Sequence, residues 1–141
     1  MRILAITSLF LIFAVNSYGQ AEMNSHNEIA THTMKEFDSN FAHTVYFWLK
    51  NPDSKDDRAA FEKSLRTFLD NSAYAKTRFI GKPPRASRDV VDGSFTYSLI
   101  VTFESAEAQQ GYQVEPPHKK FIAESEHLWD KVMVYDSQGI N

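Results

Sequence analysis

The chain has no cysteine among its 141 residues. Disulfides, thiolate metal sites and cysteine nucleophiles are therefore excluded, as is anchoring to lipid through a cysteine. Stability must come from a hydrophobic core and from assembly with other copies. A basic stripe is also missing. Lys and Arg total 15 against 18 Asp and Glu, for a formal charge of −3, so nothing points to a nucleic-acid partner. The short Lys119-Lys120 pair reads as a solvated helix face. There is no internal repeat and no low-complexity tract. The main apolar run, Ile3 to Val15, is shorter than the ~20 residues that cross a bilayer.

That run follows Arg2 and is followed by Asn16-Ser-Tyr-Gly19, with small residues at the end. The pattern is that of a secretory signal peptide over 1–19, cut after Gly19; an uncleaved anchor is the alternative. The expectation is an exported chain, periplasmic or extracellular, with no stable membrane insertion after cleavage. It would start at Gln20, keep 14 basic and 18 acidic residues and carry a formal charge of −4. Residues 20–40 are polar and weakly patterned and read as an arm in which His26 and His32 are solvated. One domain follows over 41–137, with a short tail at 138–141. That length suffices for a single core.

Hydrophobic periodicity gives the element order. Ala42 to Lys50 is rich in β-branched and aromatic residues and predicts a strand, with His43, Val45, Phe47 and Leu49 on one face and Thr44, Tyr46 and Trp48 on the other. Ser54 to Asn71 predicts a helix, with Ser54 and Asp57 placed like a capping box and Phe61, Leu65, Phe68 and Leu69 as its apolar stripe. Lys76 to Lys82 is a second strand, followed by a polar loop to Gly93. Ser94 to Glu104 is a third strand, with Phe95, Tyr97, Leu99, Val101 and Phe103 alternating against Thr96, Ser98, Ile100 and Thr102. Ser105 caps a helix to about Tyr112, a second helical piece runs from Pro117 to Leu128, and Lys131 to Tyr135 is the last strand. The order β-α-β-β-α-β predicts an α+β, ferredoxin-like sandwich: a four-stranded antiparallel sheet with its helices on one face. The other face would present Tyr46 and Trp48 beside Thr96, Ser98 and Ile100. Such a patch is expected to meet a partner, most simply a second copy in a homodimer.

The chemistry concentrates in Tyr112-Gln-Val-Glu-Pro-Pro-His118-Lys-Lys-Phe121. A proline pair suits a first helical turn, where a missing N–H costs nothing. His118 then lies at the positive end of a helix dipole, which favours the neutral imidazole, while Glu115 opposes this. A neutral histidine beside a phenol is a proton-transfer pair. Alternation puts His43 and Tyr97 on the helix-facing side of the sheet. His118, Tyr112 and His43 are thus the candidate catalytic residues. Tyr97, Val45, Phe47, Leu99, Val101, Phe61 and Leu65 are the candidate lining of a pocket for a small, partly apolar molecule. The bland alternative makes His43 and Tyr97 satisfied core residues. His43, Glu115 and His118 could also be read as metal ligands, but their spacing matches no recognised pattern and no haem motif is present. The expectation is no metal and no cofactor.

Four segments together resemble the stress-responsive dimeric α/β-barrel (Dabb) family: Ala42-His43-Thr-Val-Tyr-Phe-Trp-Leu49, Leu99-Ile-Val-Thr-Phe-Glu-Ser105, Tyr112-x-x-Glu-Pro-x-His118-x-x-Phe121 and Val132-Met-Val-Tyr-Asp136. The resemblance covers roughly Phe41 to Asp136. It implies a ferredoxin-like protomer that pairs sheet to sheet into a barrel. It also implies a link to a plant polyketide cyclase that performs an aldol condensation without cofactor. Tyr112, His118 and His43 match that enzyme's tyrosine, final motif histidine and first-strand histidine. Glu115 and Tyr97 stand where it has histidines. The expected function is small-molecule binding in an exported Dabb protein, with cofactor-independent acid/base chemistry of cyclase or lyase type if it is an enzyme. The alternative is a non-catalytic, stress-associated interaction module.

Overall fold

The computed structural model describes residues 40–140; the expected signal peptide, and the arm up to residue 39, lie outside them. Four strands and three α-helices follow in the order β1 (Phe41–Leu49), α1 (Lys55–Asn71), β2 (Thr77–Gly81), β3 (Tyr97–Phe103), α2 (Ala106–Val114), α3 (Pro116–Ser125) and β4 (Trp129–Gln138), with a 3-10 turn, Glu126–Leu128, before β4. The sheet order is β2-β3-β1-β4 and every neighbouring pair is antiparallel. This is the ferredoxin-like α+β fold.

Local chemistry explains the helix starts. The Ser54 hydroxyl accepts from the Asp57 N–H at 3.2 Å, satisfying one of the open donors of α1. The Asp57 carboxylate accepts from Asn51 instead, at 2.9 Å, so only half of the capping box forms. Ser105 caps α2 through the Ala108 N–H at 3.2 Å. Pro116 and Pro117 occupy the first positions of α3, and the Glu115 side chain makes no cap bond to that helix.

The core is aromatic. Phe61, Phe103 and Tyr97 are almost fully buried. Phe61 meets Phe47 at 5.0 Å and Phe121 at 6.0 Å, edge on. Phe68 stacks on Phe121 at 5.4 Å. Each such side chain removes ~150–250 Å² from water, so these rings clamp α1 and α3 onto β1 and β3.

The structure departs from the sequence pattern in three places. First, β3 begins at Tyr97, not Ser94. Thr96 bends the chain: its N–H donates to the Phe47 carbonyl at 2.8 Å and its hydroxyl accepts from the Leu49 N–H at 3.0 Å. Phe95 therefore leaves the helix side and packs against Tyr46 at 4.8 Å. Second, β4 is longer than expected and runs on to Gln138, pairing with β1 along its length. Third, the outer face of the sheet is not bare. The segment 82–96 crosses it: Trp48 Nε1–H donates to Ser94 Oγ at 3.1 Å, and Val90, Val91, Asp92 and Phe95 join Thr44, Tyr46, Trp48 and Tyr135 around a cavity of about 630 Å³. Thr96 and Ser98, expected on an open face, are buried.

Candidate functional site

A cavity of about 270 Å³ opens between the sheet and α2–α3. Its polar groups are His43, Tyr112, Gln113 and His118. Val45, Phe47, Phe68, Leu99, Phe121, Ile122, Trp129, Val132 and Val134 give it apolar walls. Val132 and Val134 are 36% and 49% exposed. No helix covers them fully, so the mouth lies along β4.

Each polar group is placed by its element. His43 points inward by the alternation of β1 and is 4% exposed. The β1–β4 register sets it opposite Asp136, and its Nδ1 lies 2.6 Å from Asp136 Oδ1. A carboxylate only accepts, so Nδ1 carries the hydrogen and Nε2 is left as the basic nitrogen. Tyr112, in the last turn of α2, lies between the histidines, with ring centroids 5.8 Å from His43 and 5.2 Å from His118. Burial, with Glu115 second, pushes its phenol far above the ordinary range, so the hydroxyl stays protonated. His118 sits in the first turn of α3, half-buried and edge-on to Phe68 at 5.0 Å. Burial lowers its pKa from the ordinary 6.5, and nearby His43 lowers it further. The Gln113 backbone and the Glu115 carboxylate pull it back upward. The neutral state expected from the helix dipole is therefore supported mainly by desolvation.

The three candidate catalytic residues, His43, Tyr112 and His118, meet at this cavity, as do Val45, Phe47 and Leu99. The other candidate lining residues do not. Tyr97 faces the helices but pairs with Phe47, four residues along β1 from His43. At ~3.3 Å per residue it lies about 13 Å from that end. Its hydroxyl donates to Glu62 Oε1 at 2.6 Å and accepts from Arg58 Nε at 3.3 Å, and Lys82 pairs with the same carboxylate at 2.9 Å. Phe61 stacks on Tyr97 at 5.0 Å. Phe61, Leu65 and Val101 are fully buried in the core. Asp136 was missed by the sequence reading, although Val132, Val134 and Asp136 alternate in a way that signals one inward face. Among the described residues no cluster of three or more His, Asp or Glu could hold a metal ion. No helix among them is long and apolar enough to cross a membrane.

Sheet order, helix placement and a cavity between the two layers define a ferredoxin-like domain with an internal pocket. The chain belongs to the Dabb family, the stress responsive A/B barrel domain, whose model matches residues 41–138. Among solved structures, it resembles a protein of Arabidopsis thaliana at 24% identity, TM-score 0.60, over 72% of this chain and 96% of that one. A hydroxynitrile lyase from Passiflora edulis is similar at 22% identity, TM-score 0.61, over 74% and 96%. A dimeric ferredoxin-like protein of unknown function from Thermobifida fusca is similar at 13% identity, TM-score 0.57, over 70% and 90%. No curated protein matches the sequence.

Proposed function

We infer that this protein binds a small, partly apolar molecule in the His43–Tyr112–His118 cavity and moves a proton next to a carbonyl or a comparable electron-withdrawing group. The observation that carries the reading is the convergence of two imidazoles and one phenol on a single apolar pocket. Its volume is nearly twice that of the ~150 Å³ apolar cavity that holds benzene, which suits one ring or a short chain with a polar head.

The roles follow from the environments. His118, kept neutral by desolvation and so free to accept, takes the proton. Tyr112, held protonated, donates to the oxygen on which charge develops. His43 is oriented by Asp136 through Nδ1 and presents Nε2 as a second proton carrier. No cofactor is needed for this chemistry. A lyase on the same fold supports the reading. Export through the N-terminal leader is part of this reading, as is a homodimer formed through the outer sheet face; the Thermobifida fusca protein is described as dimeric.

The test is solvent exchange. Short ketones, β-keto esters and cyanohydrins are incubated with the protein in heavy water, and deuterium uptake at the carbon next to the activating group is read by mass spectrometry. Uptake that disappears in His118→Ala and falls in Tyr112→Phe is the expected result. Binding of such compounds without exchange would leave a binding module. Absence of both would overturn the reading.

A further inference from the structure

Glu115 occupies an unusual place. It ends α2 and begins α3: its N–H donates to the Gly111 carbonyl at 3.1 Å and its carbonyl accepts from Lys119 at 3.2 Å. Its side chain is buried, 7% exposed, although a carboxylate at a helix start usually turns to cap that helix or to reach water. Here Oε2 accepts from the Ala73 N–H in the turn after α1, at 3.0 Å. That turn comes close because Tyr74 lies on Gly111; a Cβ at Gly111 would be 2.5 Å from its ring. The second oxygen, Oε1, is buried and has no hydrogen-bond partner. Among the described residues no Lys or Arg forms an ion pair with this carboxylate. A structural tie to Ala73 needs only one neutral acceptor. It does not explain a buried carboxylate with an open oxygen.

Position supplies the explanation. Glu115 is the extended junction residue between Tyr112 in the last turn of α2 and His118 in the first turn of α3, and its carboxylate acts electrostatically on both side chains. We propose that Glu115 is a positioning residue for the Tyr112–His118 pair, a buried carboxylate that serves His118 from the helix junction while Asp136 holds the His43 ring by a direct hydrogen bond. Each imidazole of the cavity then has its own carboxylate, one in direct contact and one at the helix junction. The proposal rests on the proton-transfer reading above. In that step the C–H bond breaks, the electron pair moves onto the oxygen held by Tyr112, and the proton bonds to the free nitrogen of His118. The imidazolium so formed lies in an apolar cavity and carries a positive charge that needs an anion nearby. Glu115 supplies it and is left unchanged when the proton is returned to product. The groups facing His118 are His43 from β1, with Asp136 of β4 behind it, Tyr112 from α2, Phe68 from α1 and Glu115 itself. Of these, Glu115 favours the protonated ring and His43 opposes it.

The experiment is an NMR titration of the His118 ring in the full chain with no ligand present, so its outcome is independent of whether a substrate is ever found. Glu115→Gln keeps an oxygen for the Ala73 N–H and removes the charge. Glu115→Met removes the same charge without adding a titrating group, and is the second variant should the first not fold. The His118 signal is assigned by its loss in His118→Asn. The expected result is a His118 midpoint moved to lower pH in each folded variant, with the Ala73 amide still protected from exchange in Glu115→Gln. An unchanged or raised midpoint in a folded variant overturns the proposal. Loss of the native spectrum in both variants makes the side chain a purely structural tie and overturns it as well.

Discussion

His43 and Asp136 lie 93 residues apart in the chain and 2.6 Å apart in the fold. Their contact fixes which ring nitrogen is basic. In Asp136→Ala the Nδ1 hydrogen loses its acceptor, and the His43 ring is expected to sample both tautomers. A long-range ¹⁵N spectrum checks this: one protonated Nδ1 in the unmutated protein, averaged signals in the variant. His118 gives a pH prediction. Its folded pKa lies below the ordinary 6.5, so the unfolded chain binds the proton more readily. The stability this contributes is present above about pH 6.5 and is lost as pH falls through the folded value. Denaturant midpoints should therefore drop on acidification below that point, and less so in His118→Asn. An equal drop in both proteins would refute the assignment. At this scale His43, Tyr112 and His118 were legible because residue type, alternation and the proline-marked helix start all pointed inward. Tyr97 showed the limit. Alternation gives the face of a strand but not the distance along it, and only the β1–β3 register places Tyr97 at the far end, with Glu62 and Arg58. Asp136 needed the β1–β4 register in the same way.

The elements followed local rules closely. Ser54 and Ser105 marked two helix starts, and Pro116-Pro117 marked the third. Ser105→Ala is expected to lower stability by about 1 kcal/mol, read as a shift in urea midpoint with unchanged slope. No shift would mean that the cap at the entrance to α2 is carried by other groups. Phe121→Ala should cost far more, about 3–5 kcal/mol, because its ring touches Phe47, Phe61, Phe68 and Trp129 at once. The elements that diverged from the pattern did so through tertiary contacts. Phe95 continued the alternation of β3 in the sequence, yet Thr96 bonds across to β1 and turns the chain, which sends Phe95 to Tyr46. The extension of β4 to Gln138 depends on pairing with Phe41 at the start of β1, a partnership that single-strand propensity does not encode.

For the whole molecule, the fold class was legible from element order alone, since β-α-β-β-α-β leaves few topologies for a four-stranded sheet. The loop 82–96 on the outer face was not, because its polar composition reads as solvent-facing and its contacts to that face come from the few residues Ser94, Phe95 and Thr96 at its end. The proposed dimer would form around that face. Trp48 is half-buried there, held by Ser94 and by Lys131, whose Nζ lies 4.3 Å from its ring. Tyr46→Glu, set against the Phe95 and Tyr135 rings of that face, places a charge among aromatic groups and is expected to give monomer or unfolded chain by sedimentation, whereas a glutamate at Trp48 would meet Lys131. A monodisperse, folded monomer of the unmutated protein at micromolar concentration would refute the dimer. The central claim is that the cavity between sheet and helices is a working site. The most direct test titrates single-ring phenols and carbonyl compounds into labelled protein while the ring signals of His43, His118 and Trp129 are followed. Some compounds are expected to shift all three saturably and leave Tyr97 unmoved. No response from any compound, or responses confined to Tyr46 and Trp48 on the outer face, would contradict it.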